Sequence, residues 1–383
     1  MENSLKIIFT GDVFIKQEAK SFLSENFRSI VKEHDLAVCD FEAAIETPNA
    51  KPFPKAGPYL CQHPQAHEVV MNEGFKLVSL ANNHIYDYGQ KALENTLKNF
   101  TKIASTGAGK CFEEAYKPFK TEINGCKMAF ISLCENEFGA LTSRGDNRGG
   151  YAWVNHPEVN NLIAKTKSEC DILFILPHAG IEQIDIPLPE WRDRYKELID
   201  CGADAIIGCH VHVPQGWETY KGKPIFYSMG NFFFDMDVKQ ALWHKGYAVS
   251  ISITNNSIAH FEVIPTENSN GQVIVNNDPA YKEHLGHLCN ILAEPGYSKM
   301  VDNICDELWE KRYKKYYIEA MGWTYFQFTW KDILSVIKNK LQGKDFPLIP
   351  TYSFNQAMIL HNIRVESHRW AVQRALSQME RTK

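Results

Sequence analysis

The sequence contains no run of about 20 apolar residues, the length a helix needs to cross a bilayer. Nor does it contain a block of like charge: 41 basic and 46 acidic side chains are interspersed, leaving a net charge of −5. A broad basic face for nucleic acid is therefore not expected. Its ten cysteines form no CxxC pair, and Cys39, Cys134 and Cys209 sit inside apolar runs. That usage fits reduced, buried thiols, not a disulfide framework or a zinc knuckle. The opening MENSLKIIFTGD runs straight into a strand pattern, with no basic region, apolar stretch and cleavage site of a signal peptide. The expectation is a cytoplasmic protein with no membrane span. Gly107-Ala108-Gly109 is not followed by GK[ST], which excludes a phosphate-binding P-loop. Internal repeats and low-complexity tracts are also missing.

What is present is a chain of 383 residues, 44% hydrophobic and 12% aromatic, enough for a sizeable core. Short β-branched runs alternate with helical spacing over residues 1–270, which predicts an α/β domain. Strands are expected at 5–10, 35–39, 75–80, 172–176, 203–208 and 223–228, with helices at 16–32, 64–73, 90–100 and 190–201. Asn124-Gly125 and Asn255-Asn256 each mark a hairpin turn. Past about 275 the strand pattern stops. Helical spacing and aromatics (Trp309, Tyr313, Tyr316, Tyr317, Trp323, Tyr325, Phe328, Trp330) take over, so 276–383 is expected to be a helical C-terminal region.

Polar residues able to do chemistry gather at the ends of the predicted strands. Asp12 follows the first, Glu42 the second, and Asn83-His84 with Asp87 the third. His178 ends a fourth, and His210 and His212 follow the run Ala205-Ile206-Ile207. In extended backbone, residues two apart share a face, so the last two imidazoles are expected to reach one point. In open α/β sheets the carboxyl ends of strands collect at one edge, where ligands bind. Carboxylate, amide and imidazole donors without thiolate suit manganese, zinc or iron(II), as one ion or two. With two ions, Glu42 is the expected shared carboxylate, and the pair would clamp a phosphoryl group. His84, oriented by Asp87, is the expected proton donor. Arg144 and Arg148, in the glycine-rich segment 138–150, are candidate substrate-binding groups for an anion, set against the plainer reading of solvated loop charges.

The order and wording of these motifs resemble the capsule-synthesis CapA family, associated with poly-γ-glutamate production and related to calcineurin-like metallophosphoesterases. The stretches that carry the resemblance are FTGDV (9–13), CDFEAAIET (39–47), VSLANNHIYDYG (78–89), PHAGIEQ (177–183), ADAIIGCHVHVPQG (203–216) and YSMGNFFFD (227–235). The resemblance implies a four-layer αββα sandwich. It also implies a metal shell of Asp12, Glu42, Asn83, His178, His210 and His212, with His84 and Asp87 as the proton-donating pair. Phe14 stands where metallophosphoesterases generally carry a histidine two residues after the first aspartate, which points to a single ion or unequal occupancy. The implied activity is a metal-dependent hydrolase acting on a phosphoester or an anionic polymer. The alternative is an accessory capsule-biosynthesis protein that binds an anionic polymer or a synthase partner without turnover.

Overall fold

The strand Ser4–Phe14 is buried along nearly its whole length, and its side chains divide between two cores. Leu5, Ile7 and Phe9 enter one core, while Ile8 and Val13 enter another. The period of two that sends neighbours to opposite faces does this sorting. Leu36–Phe41 behaves alike, with Leu36 and Val38 on one side and Ala37, Cys39 and Phe41 on the other. A strand covered on both faces reads as a continuous apolar run, and its sheet must lie between two other layers.

Those layers are visible in the computed structural model, which describes residues 4–236, 238–321 and 355–381 together with Lys338 and Leu341. The chain divides into two compact units, Met1–Phe53 with Pro58–Val301, and Pro54–Gly57 with Asp302–Lys383. In the first unit one sheet runs in the order Gln272–Val275, Ser257–Ser269, Lys245–Thr254, Ser4–Phe14, Leu36–Phe41, Leu77–Ser79, Ala104–Thr106, and Asn231–Phe234 also pairs with Ser4–Phe14. A second sheet has the order Trp217–Tyr220, Lys223–Phe226, Ala205–Ile207, Ile172–His178, Cys126–Cys134, Phe119–Ile123. Between them lies a core built from Ile7, Phe9 and Val249 of one and Phe130, Phe174 and Ile207 of the other. Helices Glu25–Lys32, Ala66–Asn72 and Gly89–Asn99 cover the outer face of the first sheet through Phe27, Val70 and Leu93. Helices Val159–Lys167 and Pro189–Asp200 adjoin the second sheet. The architecture is the four-layer αββα sandwich.

Two local expectations change. The first strand does not stop at Gly11-Asp12 but continues to Phe14, with the register slipping on both sides of Asp12. The helix expected over 16–32 is confined to Glu25–Lys32, capped by the Ser24 hydroxyl. Residues 16–23 are held by longer-range bonds instead. The carboxylate of Asp235 accepts from the Lys16 and Gln17 N–H groups, and Glu73 accepts from Phe22 and Leu23. At the hairpin turn, Asn124 and Gly125 take φ of 51° and 80°, as a tight turn of the right twist requires.

The helix Pro279–Ala293, just past the boundary expected near 275, belongs to the first unit. Its Tyr281, Leu285 and Leu288 enter the core between the sheets. The second unit holds a π-helical turn at Trp309–Tyr313 and helices Lys314–Met321, Gln356–Arg364 and Glu366–Arg381. Within it Arg374 pairs with Asp302 at 2.9 Å. Of the expected aromatic stripe, Trp323, Tyr325, Phe328 and Trp330 lie outside the described residues. Among the described residues no helix is long and apolar enough to cross a membrane.

Candidate metal centre

A bulge aims Asp12. Its register slip turns the carboxylate into the space between the sheets, where the side chain is fully buried. Glycine precedes it because the backbone of residue 230 comes very near, and a Cβ on Gly11 would lie 1.9 Å from the Gly230 carbonyl oxygen. The Asp12 N–H donates to that same carbonyl at 3.3 Å. From the other sheet the His210 N–H donates to Asp12 Oδ2 at 3.2 Å.

His210 and His212 do not sit on an extended strand. Regular pairing ends at Ile207, and the two residues have φ of 101° and 61°, in the left-handed region that side chains seldom occupy. Their ring centroids stand 6.3 Å apart across a strained turn rather than on a shared strand face. Backbone held this way costs energy that the surroundings must offset, and such residues concentrate at functional sites.

The side chains meet at short range. His178 Nδ1 lies 3.5 Å from Asp40 Oδ2 and 3.8 Å from Asp12 Oδ1. His212 lies 3.6 Å from Asp12 Oδ2 through Nδ1 and 3.7 Å from Glu42 Oε1 through Nε2. The rings of His178 and His210 have centroids 4.6 Å apart. Two triplets have donor atoms close enough to share an ion, Asp12 with Asp40 and His178, and Asp12 with Glu42 and His212. The residue common to both is Asp12. The expectation that Glu42 is the shared carboxylate is corrected, because the bulge puts Asp12 between the two histidines.

Asn83 Oδ1 lies 3.3 Å from His178 Nε2. With Nε2–H donating to that amide oxygen, the lone pair on Nδ1 faces Asp12 and Asp40. His84 Nδ1 is 2.7 Å from Asp87 Oδ2, and its Nε2 is 3.9 Å from Glu42 Oε1. Asp87 is itself fixed by the Leu60 N–H at 2.8 Å.

The electrostatics are those of anions packed together away from water. Burial, partly offset by His210, pushes the Asp12 carboxyl up to about 7. Burial and then the charge of Asp12 drive Asp40 and Glu42 well above the carboxylate range. Burial and neighbouring imidazoles push His178 well below its ordinary value, and burial takes His212 down to about 4. Burial also acts downward on His210, but the bond and charge of Glu135 outweigh it and raise the ring to about 9. Asp12 Oδ1, Asp40 Oδ1, both Glu42 oxygens, His178 Nδ1 and His210 Nδ1 are buried and accept or donate no hydrogen bond. Orphaned polar atoms at this density are costly unless a cation satisfies them. The donor set of hard carboxylates and borderline imidazoles fits a divalent ion.

Sequence reading missed three members of this neighbourhood. Asp40 stands at the end of the strand that leads to Glu42, and two carboxylates at one strand end were the signal. Glu135, which accepts from the Gly180 N–H at 3.1 Å and lies 3.4 Å from His210 Nε2, closes the apolar run ISLC much as Asp40 closes AVC. Asn231 had no signal beyond its place after Gly230. Arg144 and Arg148 are engaged elsewhere. Arg144 pairs with Glu113 and Glu158, and Arg148 donates to the carbonyls of Gly139, Ala140 and Gly149. Phe14 packs on Phe234 with centroids 4.9 Å apart, and the His212 ring lies 4.7 Å from Phe234 and 4.9 Å from Trp243. Aromatic rings stand where metallophosphoesterases generally carry that further imidazole.

Residues 6–236, the stretch that contains every one of these donors, match the family described as bacterial capsule synthesis protein PGA_cap. The chain belongs to this family. The capsule biosynthesis protein CapA of Bacillus anthracis is 27% identical over 277 residues, covering 68% of this chain and 67% of that one. The PGA biosynthesis protein CapA of Bacillus subtilis is 25% identical over 278 residues, 70% of this chain and 72% of that one. Among solved structures, the NAD nucleotidase of Haemophilus influenzae aligns at 14% identity with a TM-score of 0.39, over 74% of this chain and 55% of that chain. The PGA_cap match ends at residue 236, so the hairpin Lys245–Ser269 and all that follows lie beyond it.

Proposed function

We propose that this PGA_cap protein is a metal-dependent hydrolase of the metallophosphoesterase type, acting on a phosphoester or an anionic polymer such as poly-γ-glutamate. One observation carries the reading: Asp12 belongs to two donor triplets at once, and the His84–Asp87 pair borders the second of them. Asp12, Asp40 and His178 would hold one divalent ion, with Asp12, Glu42 and His212 holding another. Manganese, zinc and iron(II) all suit these donors. When bound, such ions supply Lewis acidity and clamp anionic oxygens.

The chain's own groups do the rest. Asp87 accepts from His84 Nδ1–H and so fixes the ring with Nε2 toward Glu42 and the cluster. Protonated there, Nε2 holds a proton for a leaving oxygen. Glu135 keeps His210 charged and oriented beside Asp12. The partners on this reading are an anionic small molecule or polymer and capsule-synthesis proteins, in the cytoplasm. A fold does not fix a reaction, and both Bacillus relatives are named for biosynthesis.

The deciding experiment measures metal content of the purified protein beside turnover of phosphoesters and γ-glutamyl peptides, for wild type and His84→Ala. Hydrolysis that needs added metal and is lost in His84→Ala supports the proposal. Polymer binding without turnover, unchanged in His84→Ala, replaces it with the accessory reading. A folded protein that takes up no divalent metal overturns both triplets as a metal site.

A further inference from the structure

Two buried hydroxyls stand behind the first donor triplet, and the chemistry proposed above makes no use of them. Ser79 is the register partner of Asp40 on the neighbouring parallel strand, so the two side chains leave the sheet on one face. Ser79 Oγ donates to Asp40 Oδ2 at 2.8 Å. Ser132 belongs to the other sheet, two residues before Cys134, the register partner of His178. Its Oγ lies 2.6 Å from Ser79 Oγ. One hydrogen bond therefore joins the two sheets close to where Asp40 and His178 meet.

The direction of these bonds is fixed at both ends. With Asp40 ionised, as a metal ligand is, its oxygens can only accept, so the Ser79 hydroxyl gives its proton to Asp40 and must accept from Ser132. The Ala81 N–H, which can only donate, reaches Ser132 Oγ at 3.4 Å. Donors therefore run one way, from Ala81 to Ser132 to Ser79 to Asp40, and each bond polarises the next. Gly107, with φ of 97°, leaves room for the Ser132 hydroxyl, because a Cβ there would lie 2.6 Å from Ser132 Oγ. The glycine-rich run 107–109 is no P-loop, and its first residue has this steric use instead.

The two triplets differ in how their members are held. In the first, Asn83 holds His178 through Nε2, and Ser79 holds Asp40 through Oδ2. In the second, Asn231 holds His212 through Nδ1, but neither oxygen of Glu42 has a hydrogen-bond partner among the described residues. A ligand fixed before the ion arrives loses less freedom on binding it. We propose that Ser79 and Ser132 are positioning residues for Asp40, and that they make Asp12–Asp40–His178 the tighter of the two metal sites. The inference rests on the metal reading above and deepens it by ranking the sites.

Calorimetric titration of the full-length protein with manganese tests one triplet at a time. Glu42→Gln leaves the first triplet intact, and Asp40→Asn leaves the second. Glu42→Gln should bind manganese more tightly than Asp40→Asn. Adding Ser79→Ala should weaken binding by the Glu42→Gln protein about 10–100-fold and leave the Asp40→Asn protein unchanged. Ser132→Ala should act the same way to a smaller degree, and Ser79→Thr, which keeps the hydroxyl, should stay near the parent affinity. Melting curves establish that each variant folds. A merely structural role for Ser79 would weaken both backgrounds alike, so equal losses overturn the proposal. It is overturned too by an unchanged affinity when Ser79→Ala is added to Glu42→Gln, or by binding in Glu42→Gln no tighter than in Asp40→Asn. Each of those results leaves wild type with bound metal, so the reading of the cluster as a metal site survives them. Wild type that takes up no divalent metal overturns that reading and the ranking together.

Discussion

Asn231 Oδ1 lies 2.9 Å from His212 Nδ1, and the Asn231 amide nitrogen donates to the Trp243 carbonyl at the same distance. The second bond decides the first. With its NH2 group committed to Trp243, Asn231 presents its oxygen to the ring, and an oxygen can only accept. His212 must then carry its proton on Nδ1 and turn the Nε2 lone pair toward Glu42, as a metal ligand requires. Replacing Asn231 by Leu should leave the protein folded and weaken metal affinity by about 10–100-fold. Calorimetric titration with manganese checks this without reference to turnover. An unchanged affinity would remove Asn231 from any positioning role.

His84→Ala should lower turnover by about 10²–10⁴-fold while metal content stays near wild type, because the ring borders the cluster without belonging to either donor triplet. Asp87→Asn should show a smaller loss, since it removes the orientation and keeps the imidazole. Metal lost in parallel with activity would instead make His84 a ligand.

Titration of Asp12 should make the metal-free protein lose stability as pH rises from about 4 to about 7, opposed by His178 and His212, whose lowered values favour the folded state as pH rises. Burial lifts the Asp12 carboxyl to about 7 from its ordinary 3.8, so the folded state binds this proton more tightly than the unfolded state. The stability this gives is complete below the unfolded value and is lost as pH climbs through the folded one. A divalent ion that pairs with the carboxylates reverses the loss, so the difference in melting temperature between metal-loaded and chelator-treated protein should widen across that range. A constant difference would count against buried carboxylates as the metal's ligands.

Glu73 has the opposite sign. Burial acts upward on it, yet Arg28 at 2.9 Å and the N–H groups of Phe22 and Leu23 hold the carboxyl below its ordinary 4.5. That stability is present above the unfolded value and is lost as pH falls through the folded one. Glu73→Gln should therefore cost about 1–3 kcal/mol near neutral pH and progressively less in acid, as read by urea melts at several pH values. A cost independent of pH would show that the charge is not what holds Phe22 and Leu23.

Gly11→Ala should disable the site from the backbone. A methyl at that position meets the Gly230 carbonyl oxygen at 1.9 Å, so the bulge that aims Asp12 must shift. The expected result is loss of metal binding with a lowered melting temperature. Wild-type metal affinity in this variant would mean that Asp12 can be aimed without the bulge.

The sequence by itself determined an α/β domain with polar candidate donors at its strand ends, and the four-layer αββα arrangement was what the family resemblance implied. Apolar runs of strand length, turn signals at Asn124-Gly125 and polar residues at strand ends are local facts, and parallel topology gathers strand ends whatever the details. Tertiary structure alone decided the rest. Local pattern cannot say that a bulge lets Asp12 serve both triplets, since the slip depends on where residue 230 crosses. Nor can it say that His210 and His212 take positive φ, or that Glu135 and Asn231 face them from other elements. The helical spacing of 16–24 was real but lost to Asp235 and Glu73, partners far along the chain that offered its N–H groups better acceptors than a helix would. Arg144 and Arg148 look available in a one-dimensional reading, and only the fold shows the carboxylates and carbonyls that engage them. Direction of a side chain is set by neighbours distant in sequence, and that is the part a linear pattern does not carry.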